Sequence, residues 1–465
     1  MGYTLLITFF LQCFLLLLHT CFSLQHSHKV GVTSFLASNV CNQSTKGFHK
    51  QGSSLKVMHK YGPCIEKQNN DTRLSTPNQE EMFLQDQLRV DSMHTRFSKN
   101  SGKFKEMKTN LPLRSGISLG TGDYVVTVGI GSPRKDLTLV FDTGSDITWT
   151  QCQPCVGSCY KQSEPIFDPR KSSSYKNVSC SSSYCKLLRS SGTGQSCSSS
   201  TCTYRVSYGD GSTSIGFFAT EKLTIASSVV FNGFYFGCGQ QNSGRLGQTT
   251  GLLALGPNKL SFPLQTANKF KKIFSYCIPS SSSETGHLSF AEKFPKNVKF
   301  TPSSPDFEDS PYYGIDIDGI KVGGDKLDID DSVFIHAGAI IDSGTVITRL
   351  QPTAYSALRS AFQEFMKDYP KTKGFSILDT CYDFSDYDEI VIPKISIMFK
   401  GGVELEIVPL GILLATRGVD QLCLAFAPND DDSDFAIIGN AQQKTYEIVH
   451  DLGKERIGFS PNGCN

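Results

Sequence analysis

The chain has 465 residues, enough for two to four domains around a large core. Hydrophobic residues make up 39 % and charged residues 19 %, with 41 Gly and 32 Phe, a globular profile that excludes collagen-like, coiled-coil and disordered chains. The formal charge of +1 hides a division: residues 24–115 carry 14 Lys and Arg against 7 Asp and Glu, and the remainder 31 against 37. An acidic body behind a basic front argues against a nucleic-acid surface on the body.

Residues 5–18 are almost unbroken apolar sequence, followed by small and polar residues at 20–23. This is the pattern of a secretory leader over residues 1–23, although no Lys or Arg precedes it. The run is too short for a permanent span. The expectation is an extracellular or vacuolar protein. The alternative is a plastid one, because no Asp or Glu occurs before Glu66.

Of the 16 cysteines, Cys13 and Cys21 fall in the leader, Cys41 and Cys64 in the basic segment, and twelve in the acidic body. An even number in an oxidising compartment implies six disulfides in the body. A zinc knuckle at Cys152, Cys155 and Cys159 is the rival reading. His287, His336 and His450 are the only histidines after Ser115 and none is near, so no metal site is expected. Glycosylation triplets begin at Asn42, Asn70 and Asn177.

Residues 25–110 are polar, rich in His and short of strand patterns. One helix is expected at 80–98, with Phe83, Leu84, Leu88 and Met93 as an irregular apolar stripe. From residue 123 the texture changes to short β-branched and aromatic runs between Gly, Ser, Pro and Asn turns, the pattern of a large all-β protein. One helix interrupts it at 352–369, where Pro352 suits a first turn and Tyr355, Leu358, Phe362, Phe365 and Met366 share a face. The Ser-rich residues 181–200 read as a loop tied down by Cys180, Cys185, Cys197 and Cys202.

An internal repeat decides the reading. Leu-Val-Phe-Asp-Thr-Gly-Ser at 139–145 recurs as Ala-Ile-Ile-Asp-Ser-Gly-Thr at 339–345, which suits two homologous lobes each offering one carboxylate, Asp142 and Asp342. An apolar strand running into Asp, a small hydroxyl residue and Gly sets a carboxylate at the end of a buried strand. Thr143 and Ser343 can then bond across to the opposite loop. Two carboxylates in one site do not both ionise easily, so one proton is retained between them. The ionised member can act as a general base on water, while the protonated one polarises a carbonyl. Gly144, Ser145, Gly344 and Thr345 complete the two loops.

On these residues the sequence resembles the pepsin family of aspartic endopeptidases over residues 122–465. The resemblance implies an all-β, bilobal fold with two barrel-like halves, at 116–310 and 311–465, and a substrate cleft between them. The Cys-rich insertion at 152–202 lies in the first half. It also implies a flap at Tyr208-Gly209-Asp210-Gly211-Ser212, with Trp149 bonded to Tyr208. A strand that crosses behind each Asp ends hydrophobic-hydrophobic-Gly at 437–439, but Leu-Leu-Ala at 252–254, which puts a methyl of Ala254 in a tight crossing.

Trp-Thr-Gln-Cys-Gln-Pro-Cys at 149–155, Phe-Gly-Cys-Gly at 236–239, Gly-Asn-Ala-Gln-Gln at 439–443, Gly-Phe at 458–459 and Asn-Gly-Cys at 462–464 are similar to the nepenthesin and chloroplast-nucleoid protease branch in plants. That resemblance implies the pairs Cys152–Cys155, Cys159–Cys238, Cys180–Cys202, Cys185–Cys197, Cys277–Cys464 and Cys381–Cys423.

The expected function is a secreted, monomeric, cofactor-free aspartic endopeptidase acting on proteins and peptides. Residues 24–115 would be an inhibitory pro-segment, whose Lys and Arg within 56–108 pair with body carboxylates and release on acidification. His26, His28, His49, His59 and His94 would add positive charge in acid. The alternatives are an inactive binding or inhibitor protein on the same fold, and a plastid DNA-associated protease. The chain ends at Asn465 without an apolar tail, so no lipid or membrane anchor is expected.

Overall fold

The computed structural model describes residues 26–36, 38–42, 53–65, 79–100, 124–190, 193–209, 211–225, 229–244, 246–290, 295, 297–308 and 310–464. Strands dominate them, as the alternation of β-branched runs and turns predicts. The largest sheet has 15 strands. Its first-lobe centre is Tyr124–Ile130 against Lys135–Asp142, followed by Gly251–Ala254, Trp149–Gln151 and the long hairpin Thr213–Ile225 with Val229–Ser243. At its other side the C-terminal strands Glu447–Asp451 and Arg456–Ser460 join Ile273–Cys277, so both ends of the body share one sheet.

The second lobe builds a five-stranded sheet in the order Tyr313–Ile315, Ala339–Ile341, Ala436–Ile438, Thr348–Leu350 and Phe426–Pro428. The expected helix is present as Pro352–Phe365, with Pro352 in the first turn and Tyr355, Leu358 and Phe362 buried. One continuous apolar core runs from Val126, Leu139 and Phe141 to Ile341, Leu358 and Ile438.

The front segment departs from its sequence reading in two places. It contributes the strand Ser27–Gly31, antiparallel to Glu389–Pro393, and the strand Ser54–His59, which lies between Thr285–Ser289 and Tyr124–Ile130. Leu55 and Val57 alternate inward on the second strand; so short a pattern among polar neighbours gives little signal. The helix extends over Gln79–Asn100. Phe83 and Met93 are buried as expected, but Leu84 is 52 % exposed, while Gln85 and Asp86 face inward. This helix therefore buries polar groups, and hydrophobicity alone misplaces its inner face.

The residues read as a loop at 181–200 hold the helix Ser183–Ser190 and the strand Gly194–Ser198, with Cys185 and Leu188 one turn apart and buried. The cysteine pairing also differs. The pairs are Cys152–Cys238, Cys155–Cys159, Cys180–Cys197 and Cys185–Cys202, in place of the four implied by resemblance. Burial explains the last two: Cys185 and Cys202 are both interior, whereas Cys180 and Cys197 lie outside them. Cys152 follows the strand Trp149–Gln151, which runs parallel to the strand carrying Cys238, so their Cα atoms come within 5.3 Å. Cys277–Cys464 and Cys381–Cys423 are as implied, and Cys41–Cys64 closes a seventh bridge within the front segment.

Candidate active site

Each Asp-x-Gly loop follows a buried strand whose backbone is gripped from behind. Gly251–Ala254 runs parallel to Lys135–Asp142 and places Ala254 opposite Asp142. Ala436–Ile438 runs parallel to Ala339–Ile341 in the same way. In both crossings a threonine hydroxyl accepts the N–H that follows: Ala254 N–H donates to Thr148 Oγ1 at 3.1 Å, and Gly439 N–H to Thr348 Oγ1 at 3.0 Å. Ala254 thus occupies the place of Gly439, and its methyl is buried among Val140, Trp149 and Leu252.

The hydroxyls tie the two loops together as the repeat suggests. Ser343 N–H donates to Thr143 Oγ1 at 2.8 Å, and Thr143 N–H donates to Ser343 Oγ at 3.2 Å. Gly144 N–H reaches Asp142 Oδ1 at 3.0 Å and Gly344 N–H reaches Asp342 Oδ1 at 3.2 Å. Ser145 donates to the outer oxygen of Asp142, and Thr345 to that of Asp342 at 2.6 Å. The result is a near-twofold cage around two buried carboxyls. Further side chains hold the second loop. Asn440 Nδ2 donates to Ser343 O at 3.1 Å, Gln443 Nε2 to Asp342 O at 3.1 Å, and Thr348 Oγ1 to Gln442 Oε1 at 2.6 Å.

The guanidinium of Arg89, from the helix Gln79–Asn100, sits between the carboxyls. Its Nη2 donates to Asp142 Oδ1 at 2.7 Å and to Asp342 Oδ1 at 3.0 Å, while Nε donates to Asp342 Oδ2 at 3.0 Å. Burial alone would lower the guanidinium pKa, but the two carboxylates more than reverse this and raise it. Burial likewise pushes Asp142 up, and Arg89, Ser145 and Gly144 N–H together hold it below its ordinary value. At nearby Asp146 burial pushes the pKa up to about 7, with the negative charge of Asp142 adding to the rise and the Asn258 N–H and the charge of Arg96 opposing it.

The helix spans both lobes. Phe83 packs with Ile347, Phe375 and Leu378, while Val90 and Met93 pack with Phe307, Ile340 and Phe435. Arg96 donates to Ser207 O, next to the turn at Tyr208. Trp149 Nε1 donates to Tyr208 Oη at 2.7 Å. A Cβ on Gly209 would lie 2.5 Å from Ser92 Cβ and 2.7 Å from Leu88 O, so glycine lets the helix and this turn touch. Asp210 and Asn70 lie outside the described residues. Asn42 and Asn177 are both exposed, as a glycan acceptor must be. Among the described residues no His, Cys, Asp and Glu cluster could hold a metal ion.

Sequence reasoning had named the basic segment in general but not Arg89, nor its neighbour Asp86. No local pattern distinguishes them from solvated charges. Their inward placement, one turn apart beside Phe83 and Val90, was the available signal.

Residues 124–291 match the family model described as xylanase inhibitor N-terminal, and residues 312–461 match xylanase inhibitor C-terminal. An aspartyl protease family protein of Arabidopsis thaliana is 50 % identical over 446 residues, covering 94 % of this chain and 93 % of its own. Aspartic proteinase nepenthesin-2 of Nepenthes gracilis is 36 % identical over 370 residues, 77 % of this chain and 82 % of its own. Among solved structures, edgp aligns with a TM-score of 0.61 at 19 % identity, over 73 % of this chain and 92 % of its own, a likeness of fold alone. By these matches and its paired Asp loops, the chain belongs to the pepsin-like aspartic protease family, with nepenthesin-like plant aspartyl proteases among its homologues.

Proposed function

We propose that the chain is a secreted aspartic endopeptidase made as a precursor whose own front helix keeps it shut. The observation that carries this reading is the pair of Asp-x-Gly loops, close enough for one guanidinium nitrogen to bond both carboxyls. Aspartic proteases among the relatives support the chemistry.

With Arg89 withdrawn, two buried carboxyls share one environment and retain a proton between them. The ionised carboxylate takes a proton from a water molecule as its oxygen adds to the scissile carbonyl carbon. The protonated carboxyl hydrogen-bonds the carbonyl oxygen as it gains charge. The tetrahedral adduct then breaks its C–N bond while the amine receives a proton from the pair. Thr143 and Ser343 keep the carboxyls in register, and an Asp146 that is neutral in acid adds no competing charge. The Tyr208 hairpin, fixed through Trp149, would close over the substrate.

The pH behaviour of the closed form follows from Asp142. Arg89 holds the Asp142 carboxyl below its ordinary 3.8 in the closed form, whereas the open pair retains a proton. Opening therefore binds a proton, so the closed form is favoured near neutral pH and is weakened as pH falls.

The test is cleavage of a denatured protein at pH 3 to 7, with and without pepstatin, by wild type, Asp142→Asn, Asp342→Asn and Arg89→Gln. The expected result is acid activity lost by about 10³-fold or more in either Asp variant, and activity in uncut Arg89→Gln where uncut wild type has none. Inactivity of folded, processed wild type would favour the rival reading, a binding protein on the same fold, which draws on the xylanase-inhibitor description of the family models. Seven disulfides support a secretory route. Among the described residues no helix is long and apolar enough to cross a membrane. A fluorescent fusion of residues 1–40 tests secretion against plastid import.

A further inference from the structure

One turn before Arg89, the same helix delivers a second charge into the body. The Asp86 carboxylate accepts from Arg349 Nη2 at 2.8 Å, from Val346 N–H at 2.6 Å and from Ile347 N–H at 3.3 Å. Both side chains of this ion pair are fully buried. Asp86 belongs to the front segment. Arg349, Val346 and Ile347 belong to the body, four to seven residues beyond Asp342 on the same chain segment.

The body half of this contact is a built anion site. Arg349 is held on the strand Thr348–Leu350 between Ala427 and Ile437, and its Nε and Nη1 have no hydrogen-bond partner among the described residues. Ile347, whose N–H is part of the site, packs in an apolar cluster with Phe83 of the helix. Asp430, exposed nearby, and Asp91 of the helix add weaker attraction. When the helix leaves, the Arg349 guanidinium and two N–H groups lose their anion, and a carboxylate entering the vacated place restores the same bonds. Charge-assisted bonds from a guanidinium and two amides suit that group.

We propose that Arg349, with the Val346 and Ile347 amides, forms a carboxylate-recognition subsite in the processed enzyme, and that Asp86 occupies it in the precursor as a substrate mimic. The proposal rests on the protease reading and deepens it by naming a substrate class: peptides with a carboxylate close to the scissile bond. Three helical residues span about 4.5 Å along the axis, and an extended peptide rises about 3.3 Å per residue. The recognised group therefore lies about one to three residues from the bond cut. Either an Asp or Glu side chain or a peptide's C-terminal carboxylate carries the required chemistry.

The experiment profiles cleavage of a peptide library by the acid-processed enzyme, once with amidated and once with free C-termini. Wild type is compared with Arg349→Lys, Arg349→Met and the double variant Asp86→Asn/Arg349→Met, which spares the precursor a lone buried carboxylate. The expected result is at least a tenfold preference for Asp and Glu over Asn and Gln at one position near the cut bond. That ratio falls to near one in both Met variants and is partly kept in Arg349→Lys. A preference confined to free C-termini assigns the subsite to the terminal carboxylate. An active wild type with no carboxylate preference, or a preference that survives without Arg349, overturns the proposal. If no peptide is cut, the protease reading fails, and the subsite is judged by binding of a synthetic 79–100 peptide to the same processed protein. Tenfold weaker binding of its Asp86→Asn form supports the site; equal binding overturns it.

Discussion

The two loops that carry Asp142 and Asp342 look like copies, yet they are braced differently. Behind Asp142 the backbone serves itself: Leu255 N–H donates to Asp142 O at 2.8 Å. Behind Asp342 the corresponding carbonyl is taken by Gln443 Nε2, and the same amide group also serves Ile438 O at 2.8 Å and accepts from Tyr276 Oη at 2.6 Å. The crossings differ too. A Cβ at Gly439 would meet Val346 O at 2.7 Å and Ile347 C at 2.8 Å, whereas Ala254 carries its Cβ in the equivalent place. Symmetry of the reacting groups does not require symmetry of their supports, and the second lobe relies on buried amide side chains where the first relies on backbone.

That contrast can be broken most strongly at Gln443. Gln443→Ala takes the amide away from Asp342 O and the Tyr276 hydroxyl, while Ile438 O keeps the Asp342 N–H, and should cost about 2 kcal/mol or more, read by denaturant unfolding. A cost under 1 kcal/mol would mean water replaces the amide and the asymmetry is superficial. Gly439→Ala drives a methyl into backbone and should cost about 1–3 kcal/mol and lower activity. Its mirror, Ala254→Gly, should change stability by about 1 kcal/mol or less and leave the fold of the first loop intact. Equal effects of the two would show that the crossings are equivalent after all.

A pH-dependent effect sits where the first-lobe strand Ile273–Cys277 meets the C-terminal strand Glu447–Asp451. His450 stacks on Phe274 with ring centres 4.5 Å apart, and neither ring nitrogen has a hydrogen-bond partner among the described residues. Burial pushes its pKa down from 6.5 to about 3. Its folded value lies below the unfolded one, so the unfolded chain binds more protons and stability falls as pH drops from 6.5 towards 3. His450→Phe should remove that slope and gain about 2 kcal/mol at pH 5 relative to neutral pH. Melting curves at pH 5 and 7.5 check this; an unchanged pH slope would show that the ring is not kept neutral.

The parts of the site legible in the sequence are those written in a few adjacent residues. Asp142-Thr143-Gly144 and Asp342-Ser343-Gly344 carry their own turn and strand signals, and Trp149 and Tyr208 stand at readable distances from them. The cysteines between 152 and 202 were not legible as pairs, because several partners lie within reach and burial, invisible in a string, chooses among them. Arg89, Asp86 and Arg349 were hidden for a related reason. A charged residue on an amphipathic helix ordinarily marks the solvent face, and only the opposing pair of carboxyls and the buried guanidinium reverse that rule. Ala254 shows the converse: a departure from the expected glycine that local packing absorbs.

The strand Ser54–His59 joins residues 285–289 to residues 124–125 and so stitches together parts of the body far apart in the chain. A recombinant protein begun at residue 124 would have to fold around a missing plank, with two open strand borders in the middle of its largest sheet. Such borders invite pairing with other copies. A chain that folds whole and is cut afterwards assembles with that plank in place, which makes the front segment a scaffold for biogenesis as much as a stopper in the cleft.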